Sequence, residues 1–294
     1  MLPFSSSGTL TPTAPFDFSQ SLRFLGIFMP GQGEQRTDGG TFVKALPLHG
    51  RALVAKVTAS GSVEQPRVAY TLYSADELDT EAHTAAVERL RFYLSLDDDL
   101  HDFYAIGQTD PQFAPVLQRL YGLHQVKFMT PFENAGWAIL SQRTYMNLAR
   151  KVKDNVTFHF GSALEVDEVL YWTFPEPAQL LAAGETAINQ VVGNARKSES
   201  LLSAARAFAD VDEHWLRTGD YDAVERWLRG IKGIGEWSSS FIMIRSLGRM
   251  ERLSRGEQRL VEAAQKVYGS SDIQQLAARY GHYQGYWAHY MRAA

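Results

Sequence analysis

Apolar residues recur along this 294-residue chain with two different periods, and the change of period divides the chain into two parts. Residues 16–28 carry apolar side chains three or four positions apart, which predicts an amphipathic helix. Three later runs alternate apolar and polar residues and are separated by short turns, which predicts an antiparallel sheet. These runs are 41–48, 51–59 and 67–74.

From about residue 83 onward the apolar spacing is helical. The helix-spaced segments are 110–122, 131–155, 175–183, 187–210, 220–230, 236–248, roughly 256–268 and a last one ending near 293. Residues 1–15 are rich in Ser, Thr and Pro and are expected to form a loose tail. We therefore predict an α+β protein: a flexible tail (1–15), a small antiparallel α+β domain (16–85) and an all-helical body (86–294).

Composition excludes several kinds of chemistry. The chain has no cysteine, which rules out disulfides, thiolate zinc sites, iron–sulfur clusters and a cysteine nucleophile. No leader-like segment is evident, and no apolar run approaches the 18 or so residues that span a bilayer, so we expect a cytoplasmic protein without membrane contact. The net charge of −4 does not favour nucleic acid as a partner. Residues 226–259, however, hold eight Lys/Arg against three Glu, a local excess of five positive charges.

This basic region begins with the stretch LRGIKGIGEW (228–237), in which three glycines separate two predicted helices. Glycine is required where φ is positive or where another group approaches the backbone closely. A helix start presents unpaired N–H groups, and glycines leave them accessible to a phosphate. The alternative interpretation is a tight turn with a glycine C-cap. The Gly spacing, the local charge and an acidic residue downstream favour phosphate binding through Gly230, Lys232, Gly233, Ile234 and Gly235.

The hairpin and its flanking helices, LRGIKGIGEWSSSFIMIRSLGR (228–249), resemble the helix–hairpin–helix (HhH-GPD) DNA glycosylase superfamily. The branch they resemble most is the bacterial 3-methyladenine DNA glycosylase II branch. Four further segments match that branch in its order. They are FDFSQSLRFL (16–25), FENAGWAILSQRTYMNLARKV (132–152), FPEPAQLLAA (174–183) and AARYGHYQGYWAHYM (277–291). The resemblance implies a TBP-like sheet domain beside helical subdomains, with a base-binding cleft between them.

The resemblance also implies a catalytic carboxylate about twenty residues beyond the hairpin, because hydrolysis of an N-glycosidic bond passes through a cationic sugar. Glu257 lies 22 positions (257 − 235) after Gly235. The family usually has a proline and an Asp in this segment, whereas this chain reads Leu253-Ser254-Arg255-Gly256-Glu257. An extra methylene moves the carboxylate by about 1.5 Å, and a misplacement of about 1 Å can cost roughly 100-fold in rate. Three interpretations remain: catalysis by Glu257, catalysis by Glu251, or a protein that binds damaged DNA without catalysis.

Trp237 stands where lyase-competent relatives carry a Schiff-base lysine. The resemblance therefore implies a monofunctional glycosylase that leaves an abasic site. Alkylated purines are cationic, and aromatic faces bind cations. The residues that match the family's aromatic pocket are Phe24, Trp237, Phe241 and Tyr283.

Flipping a base out of the duplex leaves a gap that a side chain must fill. Gln142 and Arg143 are the candidates for this wedge by their position in AILSQRT, and the arginine departs from the apolar wedge of many relatives. No residues have metal-ligand spacing, so no metal or cofactor is expected to be required. The resemblance does imply that a monovalent cation (K⁺ or Na⁺) can sit at the hairpin carbonyls.

The sequence thus predicts a monomeric, nucleoid-associated DNA glycosylase of base excision repair that acts on alkylated bases in double-stranded DNA. A damage-binding protein without activity and a glycosylase for oxidised or deaminated bases are the alternatives.

Overall fold

The structure is a computed structural model that describes residues 3–31, 34–253 and 257–294. It contains an antiparallel five-stranded sheet and fourteen α-helices within these ranges. The predicted α+β fold is therefore confirmed. No helix in the described ranges has the length and hydropathy needed to cross a membrane.

The sheet has the strand order β1-β5-β4-β3-β2, with all neighbours antiparallel. Its strands are β1 (Phe4–Leu10), β2 (Gln35–Asp38), β3 (Thr41–Leu48), β4 (Arg51–Gly61) and β5 (Pro66–Ser74). Side chains alternate on β5, where Val68, Tyr70 and Leu72 are buried while Arg67 and Ala69 are exposed. This period of two is what the alternating sequence predicted.

The helices are α1 (Phe18–Ile27), α2 (Thr80–Tyr93), α3 (His101–Gln108), α4 (Ala114–Arg119), α5 (Pro131–Ser141), α6 (Met146–Phe160), α7 (Pro177–Val192), α8 (Ala195–Asp210), α9 (Glu213–Thr218), α10 (Tyr221–Gly230), α11 (Glu236–Leu247), α12 (Gln258–Tyr268), α13 (Ile273–Ala278) and α14 (Gln284–Ala293). One core lies between the sheet and helices α1 and α2. A second lies among α5–α11, and a third among α3, α4 and α11–α14.

The amino-terminal segment corrects one expectation, since residues 4–10 are not a loose tail. They form the edge strand β1, which pairs with β5 from Phe4 opposite Ser74 to Leu10 opposite Val68. Ser and Thr tolerate an exposed edge strand, and the pairing partner lies some sixty residues away, so local composition carried no signal of it.

A second correction concerns the body, which is not all-helical. Residues 163–172 form a β-hairpin, β6 (Ala163–Val166) and β7 (Val169–Trp172), that packs on the sheet through Val166 and Tyr171. Its two turn residues, Asp167 and Glu168, both have positive φ. Such turns usually carry Asn or Gly, so the sequence lacked the usual hairpin signal.

A buried ion cluster joins the sheet domain to the helical body. Lys153 on α6 contacts Glu34, which precedes β2, and Glu133 on α5, the latter at 3.0 Å; Lys44 on β3 lies 3.3 Å from Glu34. All four side chains are at most 6% exposed. Two cations thus balance two carboxylates, which satisfies the requirement that buried charges be paired.

Candidate active site and hairpin

The helix–hairpin–helix consists of α10, the turn 231–235 and α11. Ile231 and Ile234 are buried and anchor the turn in the helical core. The Ile234 N–H donates to the Ile231 carbonyl at 3.0 Å, and the Gln142 side-chain amide donates to the Gly233 carbonyl at 2.7 Å. The turn is therefore held by its own backbone and by the end of α5.

Gly233 and Gly235 differ in what their surroundings require of the residue at that position. Gly233 has φ +88°, and a Cβ there would lie 2.6 Å from Oγ of Ser200 on α8. Tight packing therefore accounts for Gly233. Gly235 is the N-cap of α11 with extended backbone and no side-chain cap, and a Cβ there would meet no described atom within 4 Å. Nothing inside the described chain requires glycine at 235, and the first amides of α11 have no side chain over them from this residue.

The basic residues around the hairpin do not form the uniform cationic field that their number indicated. Arg249 pairs with Glu251 at 2.7 Å, and Arg252 pairs with Asp222 at 2.5 Å. Lys232 pairs with a glutamate of α8. Internal ion pairs therefore neutralise part of the local charge. Another of the eight basic positions, Arg255, lies outside the described residues.

An array of aromatic rings starts at the first turn of α11. Trp237 stacks on Phe241 with ring centroids 5.1 Å apart and planes at 10°. The array continues from Phe241 to Phe128, whose ring centroids lie 5.9 Å apart in an edge-on arrangement. Phe128 then contacts Phe28, and Phe28 contacts Phe24, each with ring centroids 5.2 Å apart. Trp237 is 46% exposed, so one end of the array is open to solvent. Three of the four predicted pocket residues, Phe24, Trp237 and Phe241, thus belong to one array.

The sequence did not predict the contribution of Phe28 and Phe128. Phe28 was visible only as a residue of the apolar spacing of α1. Phe128 lies between elements, in a segment whose burial depends on its contact with α11. No local pattern indicated that the two rings connect Phe24 to Phe241.

Two buried polar side chains lie at the inner end of the array. The Arg245 guanidinium is 4.9 Å from the ring centroid of Phe24 and 5.2 Å from that of Phe28, and the His289 ring meets Phe24 at 5.8 Å. Burial, together with the charge of Arg292, lowers the pKa of Arg245 to about 9, so it is cationic at neutral pH. Burial and the neighbouring cations lower the pKa of His289 well below its usual value, so its ring is neutral. Nη2 of Arg245 and Nε2 of His289 have no hydrogen-bond partner among the described residues.

Glu257 is near this inner end. It is the N-cap residue of α12, and its carboxylate forms an ion pair with Arg292 of α14, with 19% of its side chain exposed. Its charge acts on Arg245, which stands over Phe24. The residues that precede it in the predicted catalytic segment, 254–256, lie outside the described part of the chain. Glu251 instead pairs with Arg249, whose Nη1 donates to the Gly219 carbonyl at 2.9 Å, on the side of α10.

Tyr283 and the two wedge candidates have other surroundings. Tyr283 packs against Phe103 and His282, and its hydroxyl donates to the Asp99 carbonyl at 3.2 Å. Its described contacts thus place it in the third core rather than in the aromatic array. Gln142 supports the hairpin turn through Gly233, as described above. Arg143 is exposed and has φ +49°.

The described residues contain no group of three or more His, Asp or Glu side chains arranged to bind a metal ion. The Gly233 carbonyl already accepts one hydrogen bond from Gln142, and an oxygen of this kind has a second lone pair.

Solved structures of DNA glycosylases share this architecture. A 3-methyladenine DNA glycosylase from Archaeoglobus fulgidus superimposes with a TM-score of 0.79 at 18% identity, and 97% of each chain is covered. The 8-oxoguanine glycosylase/lyase of Clostridium acetobutylicum, solved with double-stranded DNA containing cytosine opposite 8-oxoG, superimposes with a TM-score of 0.70 at 16% identity. That alignment covers 99% of this chain and 96% of the other. The chain thus has the fold of the helix–hairpin–helix DNA glycosylases.

Sequence comparison finds similar proteins that are named DNA-3-methyladenine glycosylases. The DNA-3-methyladenine glycosylase of Bacillus subtilis (strain 168) is 26% identical over 163 residues, which cover 55% of this chain and 54% of that protein. The chain spans about half the length of the curated relatives it matches. No protein-family model matches it. Together with the shared fold, these relatives support the predicted resemblance to the helix–hairpin–helix DNA glycosylase superfamily.

Proposed function

We propose that this protein is a DNA glycosylase that flips damaged, alkylated bases such as 3-methyladenine out of duplex DNA and hydrolyses their N-glycosidic bonds. The observation that carries the proposal is the continuity between hairpin and aromatic array. Gly235 ends the hairpin turn, and Trp237, two residues later, begins the array. A phosphate held at the start of α11 would place the neighbouring nucleotide beside an exposed indole face.

The open end of the array suits a flipped base. Trp237 is half exposed while its inner face stacks on Phe241, so its outer face is available for another ring. Base–aromatic stacking typically contributes about 1–3 kcal/mol per base. The predicted pocket role of Tyr283 has no support from its contacts and is not part of this proposal.

Glu257 is the catalytic residue in this proposal. Its carboxylate would accept a proton from a water molecule whose oxygen forms the new bond to C1′ of the sugar, while the C1′–N bond breaks and its electrons leave with the base. The carboxylate also stabilises the positive charge that develops on the sugar. Arg292 fixes the orientation of the carboxylate through the ion pair. Glu251 is the next candidate, but its partner Arg249 directs it toward α10.

Chemistry at the sugar is proposed to stop at base removal. A lyase step needs an amine that forms a Schiff base with C1′, and an indole cannot supply one. With Trp237 in the corresponding position, the product is an abasic site. A monovalent cation bridging the hairpin carbonyls to a DNA phosphate is a further part of the proposal, and Gly233 would be one of its ligands.

The decisive experiment measures base release from methylated duplex DNA by the wild type and by Glu257→Gln. The substitution keeps the size of the side chain and removes its charge, and we expect the rate to fall about 100- to 1,000-fold. Glu262→Gln, at an exposed position of the same helix, is the matched control and should behave as the wild type. Equal rates for wild type and Glu257→Gln would exclude Glu257 and make Glu251 the next test. Absence of release from every lesion, with DNA binding intact, would favour the damage-binding alternative.

A glycosylase for neutral, oxidised or deaminated bases is a second candidate, and Arg245 is the observation that favours it. This guanidinium already occupies the faces of Phe24 and Phe28 that would attract a cationic base. Like charges repel, whereas a neutral base with carbonyl oxygens could accept hydrogen bonds from Nη2 of Arg245. Release rates from oligonucleotides containing 7-methylguanine, hypoxanthine or 8-oxoguanine would distinguish the two candidates.

A further inference from the structure

A concave basic surface adjoins the hairpin turn at Lys232 and Gly233. It encloses about 380 Å³ between the end of α5, the start of α8 and the hairpin turn. Four basic side chains line it, Arg143, Arg196, Lys197 and Lys232, together with Gly233. We call it the α5–α8 pocket. We propose that the α5–α8 pocket binds a backbone phosphate of DNA, at a site additional to the hairpin amides; the inference rests on the proposed function.

The charge of the pocket is strongly unbalanced. Glu199 is its acidic neighbour and pairs with Lys232. Within the described ranges, neither Arg143 nor Arg196 forms an ion pair, and both are exposed. Two guanidinium groups at the mouth of a cavity match the geometry of a phosphate, which they bind through paired N–H donors.

Hydrogen bonds of Lys197 connect two of the elements that line the pocket. Nζ of Lys197 donates to the Leu140 carbonyl and to Oγ1 of Thr144, both at 2.5 Å, and so ties the start of α8 to the end of α5. Oγ1 of Thr144 in turn donates to the Gln142 carbonyl at 2.9 Å. A cation fixed in this way adds charge to the site without needing to be ordered when a ligand binds, which lowers the entropic cost of binding.

The position of the pocket selects DNA over a free phosphate. Lys232 and Gly233 belong both to the pocket and to the hairpin turn, so a phosphodiester chain that meets the α11 amides would pass directly over it. The pocket also gives Arg143 a role that differs from a wedge, because a phosphate contact is independent of whether a base is flipped.

The test is a salt titration of duplex binding, followed by fluorescence anisotropy, with Arg196→Gln. Arg206→Gln is the matched control, since Arg206 is an exposed arginine ten residues further along α8. We expect Arg196→Gln to weaken binding roughly tenfold at low salt. The slope of log K against log salt should become shallower by about 0.9, the value for one phosphate contact. Arg206→Gln should leave both quantities unchanged.

Three results would overturn the proposal. The first is that the wild type binds DNA and Arg196→Gln binds it with the same affinity and the same salt slope. This result rejects the pocket and leaves the proposed function intact. The second is absence of DNA binding by the wild type, which rejects both. The third comes from calorimetry with inorganic phosphate alone: binding that Arg196→Gln abolishes, with an unchanged DNA salt slope, would identify a free-phosphate site.

Arg143→Gln separates the pocket from a wedge. If Arg143 contacts a phosphate, its loss should weaken undamaged and lesion-containing duplexes by the same factor. A loss confined to lesion-containing DNA would instead identify Arg143 as the wedge and remove it from the pocket.

Discussion

Replacing Gly235 by alanine is the sharpest perturbation of the hairpin, because the fold itself leaves this position open. A Cβ at 235 meets no described atom within 4 Å, and the backbone there is extended, so the substitution introduces no internal clash. Alanine is a poorer N-cap than glycine, which costs at most about 1 kcal/mol of stability. The effect on DNA should therefore be separable from any effect on folding.

The magnitude follows from what the methyl group would cover. If a phosphate accepts a hydrogen bond from an α11 amide, losing that bond costs about 1.5–3 kcal/mol. This corresponds to roughly 10- to 150-fold weaker binding. The loss should be the same for every sequence and for undamaged DNA, because phosphate contacts carry no base information.

Gly233→Ala provides the contrast. Its φ of +88° is unfavourable for alanine by about 1–2 kcal/mol, and its Cβ would lie 2.6 Å from Ser200 Oγ. Gly233→Ala should therefore lower the thermal unfolding midpoint clearly, while the midpoint of Gly235→Ala should stay within a few degrees of that of the wild type. Fluorescence anisotropy with an undamaged duplex then measures the DNA affinity of each variant. A folded Gly235→Ala protein that binds DNA as tightly as the wild type would refute the assignment of the α11 amides as a phosphate site.

Three further predictions follow from other contacts. Borohydride should trap no covalent protein–DNA adduct during turnover, because Trp237 supplies no amine; a strong trapped band would contradict monofunctional chemistry. Lys153→Met should lower the free energy of unfolding by about 3–5 kcal/mol in urea titrations, because it leaves Glu34 and Glu133 with less compensation, whereas exposed Lys151→Met on the same helix should be nearly neutral. Burial opposes ionisation of Glu34, but Lys153 and Lys44 outweigh it and lower its pKa below 4.5, while Glu34 and Glu133 overcome burial and raise the pKa of Lys153 above 10.5. The stability that Glu34 contributes should therefore be complete above pH 4.5 and be lost as the pH falls through its lowered pKa. The stability that Lys153 contributes should be complete below pH 10.5 and be lost as the pH rises further. A free energy of unfolding that changes steeply between pH 6 and 9 in the wild type, but not in Lys153→Met, would contradict this prediction.

The alternation of β3, β4 and β5 and the helical spacing of α1 and of the hairpin helices could be predicted from the sequence, because burial of one face imposes a local period. The glycine-rich turn was recognisable for a different local reason, because the backbone conformation at such a turn limits the residue type. The strand β1 and the β6–β7 hairpin could not be predicted. The first depends on a partner distant in the chain, and the second uses Asp167 and Glu168 where a glycine or asparagine would be the usual signal.

The candidate site divides in the same way. The sequence by itself determined which residue types were available: Trp237 two positions after Gly235, a carboxylate at 257 and a surplus of basic residues. The tertiary structure alone decided which of them meet. It joined Phe24 to Phe241 through Phe28 and Phe128, set Arg245 against Phe24, and neutralised part of the basic surplus in ion pairs. The physical reason is that charge and ring contacts depend on distances between elements far apart in the chain, which local periodicity does not encode.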